Sequence, residues 1–164
     1  MSFSRESFFT DPNEPRPEFG FLTSTPITFA IQPAPDTMPI IAQNFVDFLA
    51  EMRGVQLDYS AGSLEYIDAG LQAFYTHKDP VDKTAELILM MGCYIGEVIV
   101  RKTGGKWINP RDADWPVRVS SMMVVAKLPT GLYIDPLAKA FRCAYYGPAD
   151  SIVDYYMELV SACS

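Results

Sequence analysis

The chain reads as an α+β domain in which a layer of three helices packs on a small, mainly antiparallel sheet. Two C-terminal helices close it, and an extended N-terminal arm precedes it. Three observations predict this. Apolar residues recur at three- and four-residue spacing from about residue 37 to 103. The period turns strand-like after Gly104-Gly105, and helical spacing resumes at Asp135-Pro136. Six of the 13 prolines fall before residue 36, which separates an arm (1–36) from a single domain (37–164). A chain of 164 residues suits one domain that buries roughly two-thirds of its unfolded surface. Its 49% hydrophobic and 20% charged content argues against a disordered, collagenous or disulfide-stapled chain.

Residues 1–18 are interrupted by Pro12, Pro15 and Pro17 and read as a loose arm. Residues 19–31 are richer in aromatic and β-branched side chains and predict one or two short strands broken at Pro26. Such an apolar extension should lie on the body of its own chain or on a neighbour's, and exchanged arms would make a homodimer.

The first helix begins after Asp36 or Thr37, with Pro39 in its opening turn, and ends at Gly54. Ile41, Phe45, Phe48, Leu49 and Met52 share one face, with Asn44, Asp47 and Glu51 opposite. Ser60 is the expected N-cap of a second helix running to about Thr76. Its stripe is Leu64, Ile67, Leu71 and Phe74, while Glu65, Asp68 and Gln72 face water. A third helix covers about 81–103 and carries Gly92 and Gly96. Because Gly62, Ala69, Gly70 and Ala73 are also small, the second and third helices are expected to cross closely at Gly92 and Gly96, opposite Gly70. Residues 106–109, 117–120 and 123–127 are short strand candidates. Asp135 then caps a helix with Pro136 at its first position, ending at Gly147, and Pro148 opens a last helix bearing Ile152, Tyr155, Tyr156 and Leu159.

The formal charge of −7 is unevenly placed, with 5 basic and 14 acidic side chains in residues 1–100 against 8 and 6 in the remainder. An acidic chain repels phosphate backbones, so no nucleic-acid partner is expected. The basic run Arg101, Lys102, Lys106, Arg111 and Arg118 reads as a solvated helix end and loop. No basic-then-apolar leader opens the sequence, and the best apolar window, 87–100, is short and holds Glu97, so a cytoplasmic protein without a membrane partner is expected. Three cysteines without a CxxC pair fit reduced thiols.

Candidate chemistry is sparse. Cys93 would need a lowered thiol pKa to act as a nucleophile, yet it lies mid-helix among apolar residues, which favours packing. His77 is the single histidine and reads as a helix-end or solvated residue, so neither a metal nor a cofactor is expected. No HExxH, phosphate-binding glycine loop or GxSxG occurs. Glu97 stands where a core residue belongs, so it must be paired or hydrogen-bonded, with Arg101 one turn on as the obvious partner. Glu86 shares its side of the helix but lies three turns away, roughly 16 Å, too far for a carboxylate dyad. Tyr145, Tyr146, Tyr155 and Tyr156, like Met90, Met91, Met122 and Met123, read as packing residues.

The strings LDYSAGSLEYIDAGL, GCYIGEVIVRKTGGKW and DPLAKAFRCAYYGPADSIVDYY together resemble a loose group of small bacterial domains of unknown function. The likeness covers roughly residues 55–160, and its middle motif maps onto residues 92–107. It implies an α+β bacterial cytoplasmic domain, with some relatives in toxin–immunity or secretion-linked settings, and it carries over no catalytic residue. Cys143 and Ala144 stand where that group would have basic or apolar residues. The leading expectation is a non-enzymatic interaction domain of immunity or adaptor type, binding a basic protein through an acidic surface. The alternative is a small-ligand binder or hydrolase-like enzyme with Glu97, Arg101 and Trp107 around a pocket at the end of the third helix.

Overall fold

A computed structural model describes residues 31–78, 81–113 and 124–164. Its helices follow the predicted order, and the differences lie at their ends. Helix α1 (Met38–Arg53) follows a turn in which the Thr37 hydroxyl accepts from the Ala34 amide at 2.8 Å and donates to the Gln32 carbonyl at 2.7 Å. It stops at Gly54, whose φ of +65° closes the last turn on the Leu49 and Ala50 carbonyls. Helix α2 (Ser63–His77) starts later than its predicted cap implies. Its N-cap is Gly62, without a side-chain cap, in place of the expected Ser60, whose hydroxyl accepts the Ser63 amide at 3.2 Å within a tight turn through residues 60–62 that precedes the helix.

Helix α3 (Val81–Thr103) is the central element and packs most extensively on α4 (Pro136–Tyr146), then on α1. Asp135 caps α4 as expected, its Oδ1 accepting the Ala138 amide at 3.0 Å. The last helix, α5 (Ile152–Cys163), is not opened by Pro148. Residues Gly147–Asp150 form a 3-10 turn, and Ser151 is the cap, accepting the Asp154 amide. This α5 closes against α2 and α3.

Strands β1 (Lys106–Ile108), β2 (Val125–Lys127) and β3 (Tyr133–Ile134) form one antiparallel sheet in the order β1-β2-β3. Trp107 stands opposite Ala126, and Ala126 opposite Ile134. The expected strand at 117–120 and those in the arm lie outside the described residues, whereas β3 is a strand the sequence pattern does not reveal. With helices on a small antiparallel sheet, the fold is α+β. No helix among the described residues is long and apolar enough to cross a membrane.

The expected crossing of α2 and α3 at Gly92 and Gly96 is replaced by a different contact. A Cβ at Gly92 would lie 2.9 Å from the Leu137 backbone, and one at Gly96 would overlap the Trp107 ring and come within 2.9 Å of Pro136 Cγ. The two glycines therefore admit the N-terminus of α4 and the indole of β1. Helix α2 meets α3 at Gly70, against Met91, but packs more extensively on α4. Small residues allow close approach without choosing the partner, and here the aromatic ring and the α4 backbone take the space.

Candidate functional site

Glu97 is 5% exposed near the C-terminal end of α3, and both its oxygens are occupied. Oε1 accepts from Arg101 Nε at 3.0 Å, the pairing expected one turn on. Oε2 accepts from the indole Nε1 of Trp107 at 2.9 Å, a bond made possible because Gly96 has no side chain to lift the ring off the helix. Glu97, Arg101 and Trp107 thus lie together, with one donor on each carboxylate oxygen, bonded to one another instead of spaced around a pocket. Glu86, three turns earlier, is exposed, so the two carboxylates occupy unlike surroundings although their azimuths agree.

Arg101 also stacks on Tyr59, its guanidinium carbon 3.6 Å from the ring centroid. Tyr59 has φ +61°, unusual for an aromatic residue, and its backbone amide donates to the Tyr94 hydroxyl at 2.9 Å. Ser63 spends its proton on the Ser60 carbonyl at 2.6 Å, so the Tyr94 hydroxyl donates to Ser63 Oγ, also at 2.6 Å. The Tyr59 hydroxyl donates to Gln43 on α1 at 3.0 Å. Burial raises both phenols above their ordinary value; Arg101 opposes the rise at Tyr59, and the hydrogen bond from the Tyr59 amide opposes it at Tyr94. Neither phenol ionises near neutral pH. The cluster ties α1, the turn before α2, α3 and β1 into one unit.

A second buried network corrects the reading of Asp68 as water-facing. Asp68 is 7% exposed and receives four donors: Gln72 Nε2 at 3.0 Å, the Ile152 amide at 3.1 Å, Ser151 Oγ at 3.0 Å and Cys143 Sγ at 3.5 Å. Burial pushes its carboxyl up, but these donors together outweigh it and hold it below the ordinary value. Asp68 therefore fastens the first turn of α5 to α2. The period of α2 could not show this, because three of its four partners lie more than 70 residues away. Cys143 is driven far up by burial and by the Asp68 charge, and burial pushes the Cys93 thiol up to about 12. Neither thiol is a nucleophile in this setting. His77 ends α2 on the surface, and no group of three metal-ligating side chains exists among the described residues.

The concave surface lies elsewhere. A groove of about 530 Å³ runs between α1 and α2, with Leu87 and Met91 of α3 as its floor. Phe45, Phe48, Leu49 and Met52 form one wall, Tyr66, Ala69, Gly70, Ala73 and Phe74 the other, and Arg53 is the one charged lining residue. Phe48 is 43% and Met52 64% exposed, although both belong to the apolar face of α1. The signal was present in the sequence in two halves: an apolar stripe reaching Met52, and a facing row of small residues on α2 too short to cover it.

The fold and these surfaces define an α+β domain with a hydrogen-bonded polar centre at Glu97 and an open apolar groove. No family model, curated protein or solved structure matches the chain.

Proposed function

We propose that this domain is a non-enzymatic protein-interaction module that docks a partner segment in the groove between α1 and α2. The uncovered half of the α1 apolar face carries the reading. Phe48, Met52 and Tyr66 are large apolar or aromatic side chains left exposed around a concavity of about 530 Å³, the arrangement an amphipathic helix or extended peptide fills. Three anchors of this size, once desolvated, supply about 1.5–3 kcal/mol each before ordering costs.

The partner proposed is basic. The chain carries −7 overall, with Asp47, Glu51 and Glu65 exposed on α1 and α2, so a cationic partner would be steered towards the domain. An immunity or adaptor role in a bacterial cytoplasm accords with the resemblance of residues 55–160 to small bacterial domains. The small-ligand or enzymatic alternative is less supported, because each Glu97 oxygen is already engaged, one by Arg101 and one by Trp107.

The test is affinity capture from native lysate with the full chain, beside Met52→Glu and Asp47→Lys/Glu51→Lys variants. One stoichiometric partner, lost in the groove variant and weakened in the charge variant, supports the proposal. Capture that is indifferent to Met52→Glu, or no partner at all, refutes it.

A further inference from the structure

Arg101 is an exposed arginine whose side chain is already fixed in place. Buried Glu97 accepts from its Nε at 3.0 Å, and the Tyr59 ring centroid lies 3.6 Å from the guanidinium carbon, yet the side chain stays 47% exposed. Glu97 is held in turn by the Trp107 indole at 2.9 Å. Among the described residues, the two terminal nitrogens of Arg101 make no hydrogen bond. We infer that this outer edge recognises a carboxylate presented by a peptide chain, gripped by the paired Nη donors while Glu97 and Tyr59 hold the guanidinium. Neither Arg101 nor Tyr59 lines the groove between α1 and α2, so the site stands independently of the groove.

Three observations lead there. A guanidinium can fork onto an oxyanion through its outer edge, and bonding Glu97 through Nε leaves that edge intact. A free arginine gives up rotamer freedom when it binds, whereas here the buried carboxylate and the ring have already restricted it. Tyr59 takes its place against the guanidinium with φ +61°, a backbone strain of the kind that concentrates at binding sites.

The surrounding charges select the ligand. Asp47, Asp58 and Glu97 lie near enough to raise the Tyr59 or Tyr94 phenols. These three carboxylates offset Arg101 and the exposed Lys102 and Lys106, which leaves little net attraction to repay the desolvation of a phosphate dianion. What remains is the planar fork, and a singly charged carboxylate fits it.

The test is a nuclear magnetic resonance titration of the Arg101 guanidinium in the full chain at constant ionic strength. The probes are acetyl-Ala-Glu-Ala-amide, acetyl-Ala-Ala-Ala with a free C-terminus, acetyl-Ala-Ala-Ala-amide and inorganic phosphate. A saturable shift with a Kd on the order of millimolar is expected for one or both carboxylate peptides, and which of them binds identifies a side-chain or a C-terminal carboxylate. Arg101→Lys keeps the charge without the fork and should weaken that binding roughly tenfold or more, while Met52→Glu in the groove should leave it unchanged. No saturable shift with either carboxylate peptide, an equal shift with the neutral peptide, or tighter binding of phosphate overturns the inference. The parent titration decides these outcomes even if Arg101→Lys fails to fold.

Discussion

Replacing Gly96 by alanine drives a methyl group into the Trp107 indole. The new Cβ would overlap the ring and lie 2.9 Å from Pro136 Cγ, and neither neighbour is the free end of a flexible chain. The indole must swing away, which breaks its 2.9 Å bond to Glu97 and leaves one oxygen of a buried carboxylate with no donor. Overpacking of this kind costs about 1–3 kcal/mol, and orphaning the charged acceptor adds about 1–3 kcal/mol. Alanine's helix propensity returns about 1 kcal/mol. The net is roughly 1–5 kcal/mol of destabilisation, and at about 2–4 °C per kcal/mol in a chain of this size the melting temperature should fall by roughly 2–20 °C. Thermal unfolding followed by circular dichroism gives the magnitude, and indole fluorescence reports whether Trp107 has moved. An unchanged melting temperature would show that the indole does not lie across Gly96. In a Trp107→Leu background, which has no indole to displace, adding Gly96→Ala should lower the melting temperature far less than it does in the parent; an equal further fall would refute the same reasoning.

Asp135 should make stability depend on pH. It is wholly buried, its Oδ2 has no hydrogen-bond partner, and burial raises it from 3.8 to about 7 against the pull of the α4 amides. A raised folded-state value means the folded protein holds the proton more tightly, so this contribution is full below about pH 4 and lost as pH rises through 7. Asp135→Asn keeps a cap and removes the titration; its stability relative to the parent, from urea unfolding, should improve between pH 5 and pH 8, and a pH-independent difference would contradict the burial of that carboxylate. Asp68→Ala strands four donors and should cost about 2–4 kcal/mol, with amide exchange at Ile152 rising first. A loss below 0.5 kcal/mol, the ordinary range for a surface change, would return Asp68 to the surface. Iodoacetamide at pH 8 should label the partly exposed Cys163 in the native state and spare Cys93 and Cys143; rapid labelling of Cys93 would contradict its burial.

Local patterns in the sequence made the helices legible. The Asp135 cap, the Gly54 stop and the Glu97–Arg101 pair all depend on residues within one or two turns of each other, so spacing alone exposes them. The hydrogen bond from Trp107 to Glu97 was only half legible: both residues stood out, but as pocket walls, because nothing local says that Gly96 brings the ring down onto the helix. Tyr59 and Tyr94 were missed as members of that centre, since a positive φ and a backbone-to-phenol bond across 35 positions leave no periodic trace. Strand β3 is two residues long, too short to alternate. The groove was hidden for the opposite reason. Phe48 and Met52 fit the apolar stripe of α1 so well that burial was the natural expectation, and only the placement of α2 leaves them uncovered.

The double occupation of Glu97 also bears on how the sheet finds its alignment. Strands of three, three and two residues have few ladder bonds with which to resist sliding, and a slip of one position turns every side chain to the opposite face. In β1 such a slip would carry the indole away from α3 and abandon a buried carboxylate oxygen, a penalty of about 1–3 kcal/mol that so short a ladder has little pairing to offset. The Glu97–Trp107 bond therefore works as a checksum on strand register. A β1 strand paired one step out of phase lacks that bond, so the misaligned arrangement is the less stable one.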